Sequence, residues 1–468
     1  MSGFLRRKPI GSAERRSDAL AATLSWPHLL ALGVGAIVGT GILTLIGVGA
    51  DRAGPSVLLS FGIAGAICAC AALAYAELAA MMPASGSAYS YAYSALGEVF
   101  AWVVGWSLIL EYSLVVSTVA VGWSGYASPL LAGIGFPVAL TQGPELGGLV
   151  NLPAVLIIAL VTGLLLLGTH ESARVNTMLV VVKIATLSLF VGVTLPYFDA
   201  SHLHPFMPYG FASTAGPDGV PRGVMAAAAI IFFAFYGFDA ISTAAEETRR
   251  PERDLAIGIV GSMLVCTIIY VLVAASAVGA IPFTAFANSP EPLALILRDL
   301  GRPGVAHIIA TAAVIALPTV LLAFLYGQSR IFLAMARDGF LPRGLAVISS
   351  RGTPARITSA TAVLVAILAG LLPIGEIAAL ANAGTLIAFM AVGACLLVLR
   401  RRSPELRRPF RAPAAWLVGS GALFGCAYLF VSLPSRTLLW CLVWNAVGLA
   451  IYLGYAHRHS SLARPAAG

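Results

Sequence analysis

Gly33-Val-Gly-Ala-Ile-Val-Gly-Thr-Gly-Ile-Leu43 is the stretch of sequence that decides the fold. It holds four glycines in eleven residues and lies within a charge-free apolar run, residues 29–49. A run of about 20 apolar residues is long enough to span a membrane, yet each glycine costs a helix roughly 1 kcal/mol against alanine. Irregular backbone persists at membrane depth only where it lines a cavity or is buried in protein. The stretch therefore predicts a membrane-spanning helix that is interrupted at a binding site.

The same glycines have a second interpretation. Gly35 and Gly39 have the small-xxx-small spacing that lets two membrane helices pack closely. On this stretch alone, close packing and an interrupted helix are equally good explanations. A second interrupted segment at a matching position later in the chain favours the interruption.

The composition identifies an integral membrane protein. Of the 468 residues, 59% are hydrophobic and only 10% are charged, whereas soluble domains carry about 25% charged residues. We count about twelve apolar runs, all predicted to be helices because open sheets cannot span lipid: 29–49, 56–80, 98–126, 152–168, 175–195, 223–245, 256–280, 304–334, 357–373, 376–399, 415–433 and 437–455. The predicted fold class is thus an all-α polytopic membrane protein.

The charge distribution predicts the orientation in the membrane. The net charge is +8, but the Lys and Arg residues cluster in alternate loops, and this pattern marks the cytoplasmic side. We expect a multi-pass protein of the cytoplasmic (inner) membrane with both termini in the cytoplasm and with lipid rather than nucleic acid as its surroundings. The six cysteines lie in apolar runs without metal-ligand spacing, and no cofactor or metal is expected.

A second helix-breaking stretch lies in the sixth run. It reads Phe232-Phe-Ala-Phe-Tyr-Gly237-Phe-Asp239, with a glycine and an acid in mid-span. Runs one and six begin two sets of five helices, and because five is odd the second set enters the membrane from the opposite side. Paired interrupted helices in such a five-plus-five inverted repeat mark the central site of a transporter.

The run boundaries give a predicted domain organisation. Its parts are an N-terminal cytoplasmic tail (1–28), a transport core (29–399) made of two repeats (29–195 and 223–399), a basic cytoplasmic loop (400–414), two trailing helices (415–455) and a C-terminal cytoplasmic tail (456–468).

Several motifs carry a family resemblance. They occur in order between the first and the tenth run: Gly33 to Ile42, Tyr75-Ala-Glu77, Ser85-Gly-Ser-Ala-Tyr89, Gly105 to Tyr112, Phe233 to Glu247, Arg250-Pro251 and Gly327 to Gly339. With them the chain resembles the amino acid–polyamine–organocation permeases, and within these most closely the bacterial relatives of the cationic amino acid transporters. The resemblance implies transport of an L-amino acid.

The resemblance also implies where the substrate binds. Its carboxylate would lie on the backbone at Gly39, Thr40 and Gly41, where freed N–H groups and the helix dipole favour an anion. Its ammonium would lie on freed carbonyl groups, those of Ile37, Phe233, Ala234 and Tyr236. The hydroxyl of Thr40 either contacts the substrate or bonds back to its own helix.

Lys183 is the most informative single residue. It lies in the middle of the fifth run, and a charge inside the membrane is costly and marks function by default. The resemblance places this lysine on backbone carbonyls around the break in the first helix. We expect it either to couple proton movement to substrate movement or to act as a fixed cation.

The acidic residues have lesser predicted roles. Glu111 either faces the cavity and selects the substrate side chain or pairs with a polar group of a neighbouring helix. Asp239 is expected to cap the half-helix that resumes after the second break. Glu246 and Glu247 are expected to form a cytoplasmic gate with Arg249 and Arg250 or with Arg330.

One residue departs from the family pattern. Tyr236 lies where relatives usually carry a small aliphatic residue, so its ring either reduces the pocket or hydrogen-bonds a longer substrate.

These observations predict a proton-coupled amino acid symporter that works by alternating access. Two alternatives remain: an exchanger of amino acids or polyamines, and a sensor that binds without transport. An enzyme is not expected, because no nucleophile–base or metal-ligand spacing accompanies the intramembrane acids.

Overall fold

The computed structural model describes residues 3–10, 22–167, 172–216, 219–287, 289–347, 349 and 354–463. The remaining parts of the two predicted tails, residues 1–2, 11–21 and 464–468, lie outside this description.

The described part of the chain is mainly helical. Its α-helices are α1 (Trp26–Ile37), α2 (Thr40–Leu43), α3 (Leu45–Ala53), α4 (Val57–Met81), α5 (Ala88–Ala95), α6 (Glu98–Ala132), α7 (Leu152–Leu167), α8 (Ser172–Thr194), α9 (Val224–Ile231), α10 (Asp239–Thr243), α11 (Pro251–Ala280), α12 (Pro292–Asp299), α13 (Pro303–Ala316), α14 (Pro318–Arg337), α15 (Ala355–Leu371), α16 (Ile374–Arg402), α17 (Ala415–Val431), α18 (Ser435–Ile451) and α19 (His457–His459). A π-helical turn, Tyr452–Ala456, joins the last two.

Many of these helices are suited to a membrane. Among the described residues, nine helical segments are long and apolar enough to cross a bilayer, and three shorter apolar helices accompany them, at 152–166, 355–371 and 415–431. Large apolar side chains on the outer helices are exposed, as for Leu417 at 73% and Met178 at 71%. Such side chains are stable only where lipid replaces water. The chain is therefore a multi-pass membrane protein.

A short hairpin and one isolated parallel bridge between Leu24 and Thr248 are the β-structure among the described residues. Strands β1 (Thr214–Ala215) and β2 (Pro221–Arg222) pair antiparallel within the long connection between α8 and α9. His202, in the same connection, hydrogen-bonds the carbonyl of Gly279 through its Nδ1. This histidine thus anchors the connection to α11.

Both predicted interruptions are present. The first helix ends at Ile37, continues through non-helical Val38 and Gly39, and resumes as α2. The other passes from α9 through a 3-10 turn (Phe232–Ala234) and resumes as α10 after Gly237. Gly237 has φ +118°, a conformation that favours glycine, and a Cβ there would lie 3.0 Å from the carbonyl carbon of Ala36. The two breaks therefore lie directly against each other.

The glycines of the first stretch also serve helix packing. A Cβ added at Gly33 would lie 2.5 Å from Ile241, and one at Gly41 would lie 2.3 Å from the Cα of Ala234. A Cβ at Gly39 would lie 3.1 Å from Val320. The sequence left close packing and interruption as alternatives. In the structure Gly33 and Gly41 allow close packing, whereas Gly39 lies in the interruption.

The basic loop after α16 is folded around one buried carboxylate. Glu77, near the end of α4 and 1% exposed, accepts from Arg400 at 2.6 Å and from the N–H of Ala412 at 2.8 Å, and it pairs with Arg408 at 3.2 Å. Arg408 also donates to three backbone carbonyls of the loop and to that of Leu399 in α16. Two of the loop's arginines therefore organise the protein's own structure, while Arg401 and Arg407 are exposed.

The two chain ends meet at one corner of the molecule. Lys8 donates to Asp338, the residue after α14, at 2.7 Å, and Tyr89 of α5 donates to the same carboxylate at 2.9 Å. Ser460 donates to the buried Glu98 at 2.9 Å. The short helix α5 thus lies between both ends of the chain and the end of α14.

Candidate functional site

A small cavity lies at the two breaks. Its volume is about 10 Å³, roughly the room that one water molecule needs, and it is lined by α1, the first break, α2, α6, the second break and α14. The lining residues are Ala36, Ile37, Gly39, Thr40, Gly41, Val115, Val119, Phe233, Tyr236, Val320 and Phe324. None of these described lining residues carries a charged side chain. The site thus combines backbone N–H and C=O groups of the two breaks with apolar side chains.

The amide side of the site is the start of α2. The first N–H groups of a helix have no intrahelical acceptor, and here they follow Gly39 at the cavity wall. The hydroxyl of Thr40 is buried and makes no hydrogen bond. It therefore does not bond back to its own helix, and it remains available to a ligand.

Three of the four carbonyls around the first break are already occupied, whereas that of Ala36 accepts no hydrogen bond within the described residues. Lys183, 3% exposed, donates from Nζ to the carbonyl oxygens of Gly35 and Val38, both at 2.7 Å. In a continuous helix these oxygens would accept from backbone N–H groups four residues later. Tyr270 of α11 donates to the carbonyl of Ile37 at 2.7 Å. Protein donors thus replace the lost helical hydrogen bonds.

The carbonyls of the second break remain open. Within the described residues, the oxygens of Phe233, Ala234 and Tyr236 accept no hydrogen bond from side chain or backbone, although Phe232 accepts from the N–H of Phe235 at 3.1 Å. Buried backbone acceptors without a partner are uncommon in proteins. These three oxygens are the available acceptors for a cationic group at the site.

Asp239 holds the second break in shape. One carboxylate oxygen accepts from the N–H of Gly237 at 3.1 Å, and the other accepts from the hydroxyl of Tyr112 at 2.6 Å. The predicted cap of the resuming half-helix is not formed, because α10 begins at Asp239 itself and has no side-chain cap. The carboxylate instead binds an N–H group within the break and ties the break to α6, a contact that the sequence did not indicate.

Glu111 lies outside the cavity lining. It is fully buried, and neither carboxylate oxygen makes a hydrogen bond. Its Cβ approaches Gly384 of α16 so closely that a Cβ there would lie 3.1 Å away. The pairing with a polar group of a neighbouring helix, one of the two alternatives, is not formed as a hydrogen bond.

Ion pairs close the side of the molecule that carries the chain ends. Glu247 pairs with Arg330 at 3.1 Å and also accepts from the hydroxyl of Tyr326, while Glu246 pairs with Arg337 at 3.5 Å. Of the predicted gate partners, Arg330 is used, whereas Arg249 is exposed. These pairs join the end of the second interrupted helix to α14.

The structure thus gathers most of the predicted site residues. Ile37, Gly39, Thr40, Gly41, Phe233 and Tyr236 line one cavity, Ala234 lies directly behind Gly41, and Lys183 lies on the far side of the first break. Sequence reasoning missed Val115, Val119, Val320 and Phe324. A signal existed for the first two, since they follow Glu111 at intervals of four residues and thus share its face of the helix.

Known proteins resemble this chain over nearly its full length. The family model for amino acid permeases matches residues 24–453. A branched-chain amino acid permease, BcaP of Bacillus subtilis (strain 168), is 45% identical over 441 residues, which is 93% of each chain.

Two further relatives differ in what they are named for. A methylthioribose transporter of Bacillus subtilis (strain 168) is 41% identical over 470 residues, 99% of this chain and 100% of the relative. Cationic amino acid transporter 4, vacuolar, of Arabidopsis thaliana is 38% identical over 414 residues, 86% of this chain and 68% of the relative.

Proposed function

Because the chain belongs to the amino acid permease family, a group of transporters rather than enzymes within the amino acid–polyamine–organocation superfamily, we propose that it is a proton-coupled symporter of neutral amino acids. The observation that carries this proposal is the arrangement at the two breaks. Free amide groups at one break face open carbonyls at the other across an apolar cavity.

A zwitterion fits the two polar ends of this cavity. The substrate carboxylate would lie on the backbone of Gly39, Thr40 and Gly41, where helix-terminal N–H groups favour an anion. The ammonium would lie on the carbonyls of Phe233, Ala234 and Tyr236, which lack other donors. The carbonyl of Ile37 already accepts from Tyr270, so Ile37 would contribute its second lone pair.

The cavity walls favour an apolar substrate side chain. Val115, Val119, Val320 and Phe324 surround the space between the polar ends, and burying a charged side chain among them without a partner would be costly. The name of the branched-chain permease supports this choice. We therefore propose leucine, isoleucine and valine as the first substrates to test.

Lys183 is the proposed coupling residue. Its ammonium group occupies the place of two lost helical hydrogen bonds, so its charge and the shape of the first break depend on each other. A proton gained or lost at this amine would change the geometry of the carboxylate site next to it. Such a link between ion and substrate is what a symporter requires.

The proposed architecture is the five-plus-five inverted repeat of residues 29–195 and 223–399, with twelve spanning helices and both termini in the cytoplasm. The matching places of the two breaks, each at the start of its half, support the repeat. The concentration of arginine on the side of the chain ends supports the orientation.

Transport in protein-free vesicles tests the function. Purified protein is reconstituted, and uptake of radiolabelled leucine is measured with and without an inward proton gradient and with and without internal leucine. Symport predicts accumulation that requires the gradient, whereas exchange predicts uptake that requires internal amino acid. Binding without any uptake would contradict both and identify a sensor.

Methylthioribose is a second candidate substrate. The relative with that name covers this chain almost completely, and an apolar cavity also suits a methylthio group. Competition of unlabelled methylthioribose against leucine uptake distinguishes the two substrates. Uptake of labelled methylthioribose together with no uptake of any amino acid would replace the amino acid proposal.

A further inference from the structure

Tyr236 lies between the cavity and a buried acid. Its ring lines the cavity and packs against Phe233, with ring centroids 5.0 Å apart, and against Phe324, at 6.3 Å. Its hydroxyl is buried and makes no hydrogen bond. The charge of Glu111 and the hydroxyl of Thr385 both act on this hydroxyl, and neither residue lines the cavity. The side chain thus extends from the cavity toward Glu111.

Glu111 lies on the same face of α6 as two residues that line the cavity, but it does not itself line the cavity. Val115 and Val119 follow it on α6 at intervals of four residues, and residues so spaced lie above one another on one face of a helix. Both valines line the cavity, whereas Glu111 does not. Because a helix rises about 1.5 Å per residue, Glu111 is displaced from Val115 by roughly 6 Å along the axis.

Among the described residues no cation pairs with Glu111, and the hydroxyl of Thr385 is the polar group that acts on it. Both carboxylate oxygens are buried without a hydrogen bond, and Asp239, a second buried acid, also acts on it. A buried carboxylate is costly unless it is paired. A substrate with a cationic end could supply that partner if its side chain reached beyond Val115, but the ring of Tyr236 occupies the end of the cavity.

We propose that Tyr236 is a specificity-determining residue, because its ring closes the cavity against Glu111 and so limits the substrate to short neutral side chains. Removing the ring would open the cavity to Glu111 and admit a long cationic side chain. This inference rests on the proposed function, since it concerns the part of the same site that would receive the substrate side chain.

Variants of the full-length protein in vesicles test the inference. Tyr236→Ala removes the ring, Tyr236→Phe retains it without the hydroxyl, and the double variant Tyr236→Ala/Glu111→Gln opens the cavity but removes the acid. The measured quantity is the ratio of lysine uptake to leucine uptake, with ornithine as a second cationic substrate. Each variant is first checked for a single peak in size-exclusion chromatography.

Tyr236→Ala is expected to raise the lysine-to-leucine ratio at least about tenfold, since rejection of a substrate by a site that cannot pair its polar group is typically large. Tyr236→Phe is expected to retain the wild-type ratio, and the double variant is expected to return to it. An unchanged ratio in Tyr236→Ala, or a raised ratio that survives in the double variant, would overturn the inference.

Competition against the wild-type protein gives a second test that does not depend on any variant folding. Neutral straight-chain amino acids of increasing length compete with labelled leucine, and inhibition is expected to fall as the side chain lengthens, with lysine the weakest competitor. Lysine that inhibits as well as norvaline would contradict the role of Tyr236. If the wild-type protein transports no amino acid, the proposed function itself fails, which is a separate result.

Discussion

The two interrupted helices meet at one site but complete their backbone hydrogen bonding differently. At the first break, Lys183 and Tyr270 donate to the carbonyls of Gly35, Val38 and Ile37. At the second, the protein supplies a carboxylate, Asp239, for one N–H group. Within the described residues, no hydrogen bond reaches the carbonyls of Phe233, Ala234, Phe235 and Tyr236. The first break is thus completed by the protein's own cation, and the second is open to the ammonium of a substrate.

This difference indicates a division of roles. The backbone geometry at the first break depends on the charge of the side chain that binds there. The backbone geometry at the second break depends on the ligand. We therefore expect changes at the first break to affect coupling and changes at the second to affect substrate choice.

The largest expected effect is at the filled break. Lys183→Met removes a cation with two charge-assisted hydrogen bonds, each worth about 1.5–3 kcal/mol, and should reduce gradient-driven leucine accumulation to background. The measurement is uptake into vesicles with an imposed proton gradient. Thr186→Val, one turn along α8, removes only a hydroxyl that donates to its own helix and serves as the matched control. If Lys183→Met still accumulates leucine against the leucine concentration gradient, the two breaks do not have different roles.

A pair of glycine variants separates packing from binding within the first stretch. Gly41→Ala places a methyl group 2.3 Å from the backbone of Ala234, and overpacking of this kind costs about 1–3 kcal/mol, so the thermal denaturation temperature of the solubilised protein should fall. The methyl group of Gly39→Ala would lie 3.1 Å from the side chain of Val320 and no closer than 3.9 Å to backbone. This variant should leave stability nearly unchanged and raise the KM for leucine roughly tenfold, as expected for one extra methyl group in a pocket. Equal loss of stability in both variants would show that the glycines are not divided in this way.

The smallest expected effect concerns the carbonyl of Ile37. Tyr270→Phe removes one neutral hydrogen bond, worth about 1 kcal/mol, and leaves that carbonyl free at the first break. Leucine affinity should then change by no more than about fivefold, as measured by equilibrium binding. A loss as complete as that expected for Lys183→Met would mean that the tyrosine, rather than the lysine, maintains the break.

The sequence predicted those parts of the site that depend on local chemistry. Clustered glycines and a mid-span Gly237 indicate where a helix is weakened, and a lysine within an apolar run has few uses, so both breaks and the importance of Lys183 could be anticipated. The contact between this lysine and the first break came from the family resemblance, because nothing local specifies which carbonyls a side chain reaches.

The remaining parts depend on tertiary packing that local sequence does not encode. Tyr270 looks like any aromatic residue of an apolar run, and its hydrogen bond to Ile37 spans 233 positions of the chain. Val320 and Phe324 reach the cavity because of how α14 is rotated. Glu111 could face either the cavity or a neighbouring helix, and only the tertiary structure places it against Gly384 of α16 and outside the lining.

The carboxylate of Glu77 has a consequence for how the molecule can move. It joins the end of α4 to Arg400 at the end of α16 and to the loop that leads into α17, so these three segments form one stiff unit. In the proposed alternating access these segments would travel together, because loss of a partner from a buried ion pair costs about 3–5 kcal/mol. The hinges of such a cycle would lie elsewhere in the chain, and α17 would move with α4.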